Sequence, residues 1–224
     1  GFDDFVASLK PSRRKGVRRE RRRVRRSGLA ISRLRGAEIE ARHLEGLEGF
    51  YLDTVERHGG RAYLKKGFFS KLGEAMGEQL LLVVAEEGGE MVGAALNVVG
   101  ADAIYGRYWG CAKMYDSLHF ELCYYQAVIE EAIALGFRRV EAGAQGEHKM
   151  SRGYMPTLTR SAVYVADETF RAEIQRFLKR EREQTYYVLA MLSMQNNPFV
   201  REPLEHLRSQ GIEIRGRRIR LLHN

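Results

Sequence analysis

Cysteine is scarce in this sequence, and long hydrophobic runs are missing from it. Its 224 residues include only two cysteines, Cys111 and Cys123, which lack CxxC spacing. Two cysteines are too few for a disulfide framework, so we interpret them as reduced thiols, as in cytoplasmic proteins. The longest strongly apolar stretch, LLLVVA at 80–85, is far shorter than the roughly 20 residues of a membrane-spanning helix, and the first residues lack a signal-peptide pattern. We therefore expect a cytoplasmic protein with no transmembrane segment.

Charge is distributed unevenly along an otherwise globular composition. With 44% hydrophobic residues, the chain is long enough to form a domain with its own core. The net charge is +8, yet the segment from Lys10 to Arg35 holds thirteen basic residues and the single acid Glu20, so the rest of the chain is mildly acidic. A basic segment of this density indicates an anionic partner, and a solvated helix is the alternative. The start at Gly1 rather than Met suggests a piece of a longer protein.

The apolar spacing predicts an α/β fold with a mixed sheet. Three strands, at 79–87, 91–99 and 102–110, follow one another through short glycine turns, which predicts an antiparallel meander. A helix over 116–137 then leads to a strand over 138–144. Because this helix forms a crossover, the strands over 102–110 and 138–144 can lie parallel. Further strands are expected at 29–34 and 159–167, giving about six in one sheet, and helices at 2–9, 12–27, 37–60, 65–77 and 168–194. The predicted core includes Leu81, Val83, Val84, Ala95, Val98 and Ile104.

The loop after the strand over 138–144 is unusually rich in glycine and ionisable residues. Residues 141–154 read EAGAQGEHKMSRGY. Where parallel strands splay apart, backbone groups at their C-terminal ends face a wedge-shaped cleft. Connectivity places this loop at the mouth of such a cleft. It is either the rim of a reaction site or an ordinary polar turn.

Three segments carry a resemblance to a known family. YGRYWG (105–110), LHFELCYYQ (118–126) and EAGAQGEHKMSRGYMP (141–156) closely resemble signature blocks of predicted N-acyltransferases, peptidoglycan biosynthesis or recognition proteins in the Fem-type branch of the GNAT superfamily. The basic start resembles the helix-to-strand start of a Fem-type domain. The resemblance covers about residues 2–185. It implies a GNAT-like enzyme that transfers an acyl or aminoacyl group from an activated donor to an amine.

The resemblance also implies a domain organisation and two candidate donors. We expect a basic helical arm over 1–27, a GNAT-like domain over 28–194 and a tail of helix and strand over 195–224. Family members typically carry a preceding GNAT-like half, and we expect the given residues to correspond to the second half. The pattern with which ordinary GNAT enzymes cradle CoA is missing before the 116–137 helix, where the sequence reads CAKMYDS. Acyl-CoA and aminoacyl-tRNA are therefore both candidate donors.

Amide formation requires an amine without its extra proton and hydrogen bonds to the developing oxyanion. His148 is the natural proton acceptor, because its unperturbed pKa is about 6.5, and Glu147 is the alternative base. His119, at the helix end nearest the cleft, is a third catalytic candidate. No metal is expected, since His119 and Cys123 form one i, i+4 pair without a second. The expected substrate contacts are Lys149, Arg152, Arg107, Gln145, Glu121 and Tyr124.

The arginine-rich helix gives a second, different functional hypothesis. Its seam of Val17 and Val24 is too narrow to explain so many cations. We expect residues 12–26 to bind RNA or a lipid-linked phosphate in preference to duplex DNA, through Arg18, Arg21, Arg22 and Arg25. The alternative to an enzyme is then a non-catalytic GNAT-like module that binds a polyanion. A homo-oligomer is a further expectation.

Overall fold

Two compact units make up the described chain. The computed structural model describes residues 1–143, 146–215 and 218–222, and the side chains in these ranges except at 126–128, 147, 215, 218 and 221. The first unit contains Gly1–Ala7 and Arg14–Gln145, and the second contains Ser8–Arg13 and Gly146–Asn224. This division differs from the expected domain boundaries after residues 27 and 194, which stay a prediction.

A five-stranded mixed sheet forms the centre of the first unit. Its strands lie side by side in sequence order: β1 (Ala30–Arg35), β2 (Leu80–Glu87), β3 (Glu90–Val99), β4 (Ala103–Cys111) and β5 (Arg139–Glu141). Neighbours are antiparallel from β1 to β4, whereas β5 pairs parallel to β4. The predicted meander and its parallel neighbour are therefore confirmed, and so is the α/β fold class with a mixed sheet.

Helices flank this sheet at the positions that the spacing predicts. Those before the meander are α1 (Phe2–Ser8), α2 (Pro11–Arg26), α3 (Ala41–Arg57) and α4 (Phe68–Met76). The crossover from β4 to β5 runs without a break through α5 (Leu118–Phe120), a π-helical segment (Glu121–Glu130) and α6 (Glu131–Ala134), together called the 118–134 helix. Most π-helical segments are single turns and are frequent at functional sites. This one packs against β2, β3 and β4.

Both faces of the sheet are covered, which explains the uninterrupted apolar run in β2. Leu80, Leu82 and Val84 pack into one cluster with side chains of α3 and α4, while the 118–134 helix packs against β2 and β3. Burying such a run removes about 25 cal/mol of unfavourable hydration per Å² of apolar surface. Of the six residues predicted for the core, Leu81, Val83, Val84, Ala95 and Ile104 are buried. Val98 is only half-buried.

The second unit contains a long helix and a hairpin. Helix α7 (Glu168–Gln195) has Asp167 as its N-cap, whose carboxylate accepts a hydrogen bond from the Phe170 amide at 2.7 Å. It is followed by α8 (Leu204–Ser209) and a two-stranded sheet of β6 (Ile212–Arg215) and β7 (Arg218–Leu221). Leu189, Ala190, Leu207 and Ile212 form its buried cluster. No helix in the described ranges is long and apolar enough to cross a membrane.

The expected strand over 159–167 is wrong, and with it the count of about six strands in one sheet. These residues form no strand, and Val163 and Tyr164 are 79% and 86% exposed. An alternating sequence supplies strand propensity, but a strand also needs a neighbour for its backbone hydrogen bonds. No described segment provides that neighbour.

Candidate active site

The sheet opens between β4 and β5. Their parallel pairing consists of Ala103 with Arg139, Ile104 with Val140 and Tyr105 with Glu141. After that last pair β5 ends, whereas β4 continues to Cys111. Gly106 lies at the point of divergence, and a Cβ there would approach the Glu141 carbonyl oxygen to 3.5 Å. Beyond Gly106, β4 continues without a paired strand among the described residues on the side of β5.

A β-bulge at Arg107 lies at the same point. Leu96 of β3 pairs with Tyr108 and Asn97 pairs with Gly106, so Arg107 is the extra residue. The Asn97 side chain is buried and donates to the carbonyl oxygens of Leu81 at 3.2 Å and Ala95 at 3.3 Å. Asn97 therefore helps to fix β3 opposite the bulge. The sequence analysis did not identify Asn97 as a functional residue, although it is the single side-chain amide in the apolar strand MVGAALNVV.

Arg107, which the sequence analysis expected to contact substrate, is exposed at this bulge. Its guanidinium lies over the Tyr105 ring at 5.4 Å from the centroid, and Nη1 donates to the Gly106 carbonyl oxygen at 3.1 Å. Bulges redirect side chains and are frequent next to active sites. The side chain is thus at the edge of the opening and can meet an anionic group.

Aromatic side chains join β4 to the beginning of the 118–134 helix. The rings of Trp109 and His119 are 4.8 Å apart and inclined by 31°. Tyr124 is buried and packs against His119 with ring centroids 5.4 Å apart. Ser117, which precedes the helix, has a φ of 68°, a conformation that is uncommon for any residue except glycine. His119 therefore lies next to the part of β4 that extends beyond β5, and the buried Tyr124 ring packs beside it. The expected contact of Tyr124 with substrate stays a prediction.

Glu121, a second expected substrate contact, is occupied within the protein. Its buried carboxylate accepts hydrogen bonds from Nε of Arg21 at 3.1 and 3.2 Å, and Arg21 Nη1 also pairs with Glu130. The Phe2 ring covers the same guanidinium at 4.4 Å. Burial alone would lower the pKa of Arg21, but its hydrogen bonds to Glu130 and Glu121 raise it. Arg21 holds α2 on the 118–134 helix and is not available to a polyanion, which corrects its expected role.

An aromatic cluster covers β4 on the side of α3 and α4. Tyr108 packs edge-on against Tyr51 and Phe69, with ring centroids 5.7 and 5.4 Å apart. Its hydroxyl is 2.9 Å from that of Tyr63. Burial, and then this hydrogen bond, raise the pKa of Tyr108 to about 12. Tyr108 thus stays neutral beside the bulge at physiological pH.

A small cavity lies next to this cluster. It measures about 240 Å³ and is lined by Glu48, Tyr51, Leu52, Leu64, Lys65, Lys66 and Phe69. The Tyr51 hydroxyl accepts hydrogen bonds from the amides of Tyr63 and Leu64, and the Glu48 carboxylate accepts one from the Gly67 amide at 2.9 Å. These bonds fix the segment that closes the cavity. Ligand pockets usually exceed about 300 Å³, so this cavity could hold only part of a substrate.

Replacing Tyr108 by phenylalanine should change how stability depends on alkaline pH. The unfolded chain loses this proton near pH 10, whereas the folded protein keeps it up to a pKa of about 12. Stability of the parent protein should therefore fall more steeply between pH 10 and 12 than that of Tyr108→Phe, and no such difference in slope is expected below pH 10. Denaturant unfolding at fixed pH measures this slope. Tyr164→Phe, at an exposed position, should behave like the parent, and parallel curves for Tyr108→Phe would contradict the assignment.

The glycine-rich loop has its own geometry in the second unit. Residues Glu147–Arg152 form a 3₁₀ helix that ends at Gly153. Gly146 has a φ of +102°, and a Cβ there would lie 2.6 Å from Cε1 of His148, so only glycine allows this ring position. The buried Arg152 donates to the His148 carbonyl oxygen at 2.8 Å. Arg152 therefore supports the turn, and its expected contact with an anionic substrate group stays a prediction.

The remaining predicted residues of this loop are divided between the described and undescribed parts. His148 is exposed and Lys149 is half-buried. Gln145 and the side chain of Glu147 lie outside the described residues. The prediction that the loop lines one pocket with Arg107 and His119 stays a prediction.

Comparison with known proteins gives one family match. The model of the FemAB-like family, described as peptidoglycan biosynthesis/recognition, matches residues 1–201. No curated protein gives a match. Among solved structures, the chain is similar to an aminoglycoside N-acetyltransferase, AAC(6')-Iy, in complex with CoA, with 14% identity over 62% of this chain and 95% of that chain and a TM-score of 0.42.

Two other solved structures show a similar degree of likeness. One is an aminoglycoside acetyltransferase from an uncultured soil metagenomic sample in complex with trehalose, with 14% identity over 63% of this chain and 96% of that chain and a TM-score of 0.38. The other is a ribosomal-protein-alanine N-acetyltransferase from Brucella melitensis biovar Abortus 2308, with 13% identity over 62% of this chain and 98% of that chain and a TM-score of 0.35.

The sheet topology and the opening between its parallel strands define the class of this protein. A meander, a crossover helix and a parallel fifth strand that diverges at a bulge form the mixed α/β arrangement that the sequence predicts. The chain belongs to the FemAB-like family, whose model matches all but the last residues.

Proposed function

We propose that this chain is an N-acyltransferase that moves an acyl or aminoacyl group from an activated donor to an amine acceptor. The observation that carries the proposal is the divergence of β4 from β5 at the Arg107 bulge in a FemAB-like chain. In this proposal, backbone amides of β4 beyond Gly106 donate hydrogen bonds to the donor carbonyl. Such amides can stabilise an oxyanion as negative charge develops on it.

The reaction is a direct attack of the amine on the donor. The amine nitrogen bonds to the acyl carbon, and the bond from that carbon to the sulfur of a thioester or the oxygen of a ribose ester breaks. His148 accepts the proton that the amine loses and returns it to the leaving thiolate or alkoxide. Glu147 is the alternative base, and His119 is a third candidate for proton transfer.

Cationic residues give the proposed binding roles. Lys149 and Arg107 bind anionic groups of the donor or acceptor, since each carries a full charge and Arg107 is exposed. Gln145 is proposed as a further substrate contact. Acyl-CoA and aminoacyl-tRNA are the two proposed donors, because each combines an activated acyl group with phosphates. Both occur in the cytoplasm, where we place the reaction.

A second candidate function is a module that performs no chemistry and binds a polyanion through α2. The observation that favours it is the row of exposed arginines on this helix, which includes Arg18, Arg22 and Arg25. The two functions differ in their ligands, because only acyl transfer requires the protein to bind an activated donor.

Native mass spectrometry of the full, untagged chain tests the proposed function. The protein would be measured as purified and after addition of acetyl-CoA, alanyl-tRNA or deacylated tRNA. We expect a one-to-one complex with one activated donor, and for tRNA a preference for the aminoacylated form. The proposal would be overturned if neither acetyl-CoA nor alanyl-tRNA formed a complex with the protein. Equal binding of charged and deacylated tRNA would support the polyanion-binding module instead.

A further inference from the structure

One side of α2 is an exposed row of cations. Taking 100° per residue, Lys15, Arg18, Arg19, Arg22, Arg23, Arg25 and Arg26 fall within about 160° of the helix circumference. All seven are exposed. We call them the cationic face of α2. No acid lies on it, since Glu20, the only acid of the helix, points to the opposite side.

The opposite side of the helix is fixed to the first unit. Val17, Arg21 and Val24 are buried there. Arg21 pairs with Glu121 and Glu130, and Glu20 accepts a hydrogen bond of 2.6 Å from the Tyr125 hydroxyl. The helix therefore cannot rotate to hide its charges. Its cationic face is held towards solvent before any partner arrives.

Among the described residues, most of these charges have no carboxylate at ion-pair distance. Arg23 pairs with Asp116 at 3.0 Å. For the other six, no carboxylate of the described residues lies within 4.0 Å. Several are four residues apart, so like charges repel one another along the helix. A polyanion would remove this repulsion.

We propose that the cationic face of α2 binds the phosphate backbone of single-stranded RNA. A helix that binds a lipid surface inserts an apolar stripe, and the apolar residues of α2, Val17 and Val24, are already buried in the protein. A flexible single strand can instead place several phosphates along a straight row of about 17 Å. This inference does not depend on acyl transfer.

Fluorescence anisotropy with a labelled single-stranded RNA tests this inference on the full chain at several salt concentrations. With six phosphate contacts, we expect log K to fall with log salt with a slope of about −4. The variant Arg18→Gln/Arg19→Gln/Arg22→Gln/Arg25→Gln should bind at least about 10-fold more weakly, with a slope nearer zero. These side chains are exposed, so circular dichroism should be unchanged.

A matched control removes the same charge from elsewhere. Arg176→Gln/Lys179→Gln/Arg180→Gln/Arg182→Gln changes four exposed cations of α7 and should retain the parent's affinity. An equal loss in both variants, or salt-insensitive binding, would overturn the proposal. So would tighter binding by the cationic face to duplex DNA or to phosphatidylglycerol vesicles. His148→Gln should bind RNA normally, which separates this result from a failure of the proposed catalysis.

Discussion

His148→Gln should lower kcat/KM for amide formation by about 10²- to 10⁴-fold, the usual contribution of a general base. Glutamine preserves a polar side chain of similar reach but cannot accept the proton of an attacking amine at neutral pH. The fold should be retained, because His148 is exposed and its ring rests over a glycine. Steady-state kinetics with the donor found by mass spectrometry would measure the loss, and thermal unfolding would confirm the fold.

Two further variants make the test of His148 specific. His58→Gln changes an exposed histidine of the first unit and should keep the parent's activity. Glu147→Gln separates the two proposed bases. An active His148→Gln beside an inactive Glu147→Gln would assign the base to Glu147, whereas full activity in both would exclude the loop from proton transfer.

Arg21→Met should destabilise the protein by about 3–5 kcal/mol, the range for removing one partner of a buried ion pair. The change leaves the Glu121 carboxylate, whose side chain is only 4% exposed, without its guanidinium. It also removes the contact with Glu130 and the stacking on Phe2. Urea unfolding monitored by circular dichroism measures the difference in the free energy of unfolding.

Two further variants separate the effect of the Arg21–Glu121 ion pair on stability from the effects of helix propensity and net charge. Arg18→Met in the same helix removes one exposed charge and should change stability by no more than about 0.5 kcal/mol. Arg21→Met/Glu121→Leu removes both members of the pair and should recover much of the stability. A loss below about 1 kcal/mol for Arg21→Met would show that the pair does not hold α2 in place.

The sheet could be predicted from sequence because its signals are local and strong. Three apolar runs joined by glycine turns allow only tight antiparallel connections, and the amphipathic 118–134 helix is long enough for a parallel crossover. Those two patterns place the opening between β4 and β5. The family resemblance pointed to the same segments, and the family match over residues 1–201 confirms it.

Features that depend on a distant partner could not be predicted. Arg21 and Arg18 look alike in the sequence, yet only Arg21 meets carboxylates a hundred residues away. In the sequence, Asn97 is a polar residue that interrupts an apolar strand, and its role becomes clear only from the bulge opposite it in β4. The segment over 159–167 has the alternation of a strand but lacks a neighbour. In each case propensity is local, whereas the outcome depends on tertiary contacts.

Amide formation by the unmodified chain is the most direct test of N-acyl transfer. The full chain would be incubated with acetyl-CoA or alanyl-tRNA, each isotope-labelled in the acyl group, and with glucosamine or lysine as the amine. Mass spectrometry would identify the products. We predict that an amine gains the labelled acyl group through an amide bond, with one donor consumed for each amide formed. Folded protein that leaves both donors intact, or releases the label only as free acid, would contradict acyl transfer.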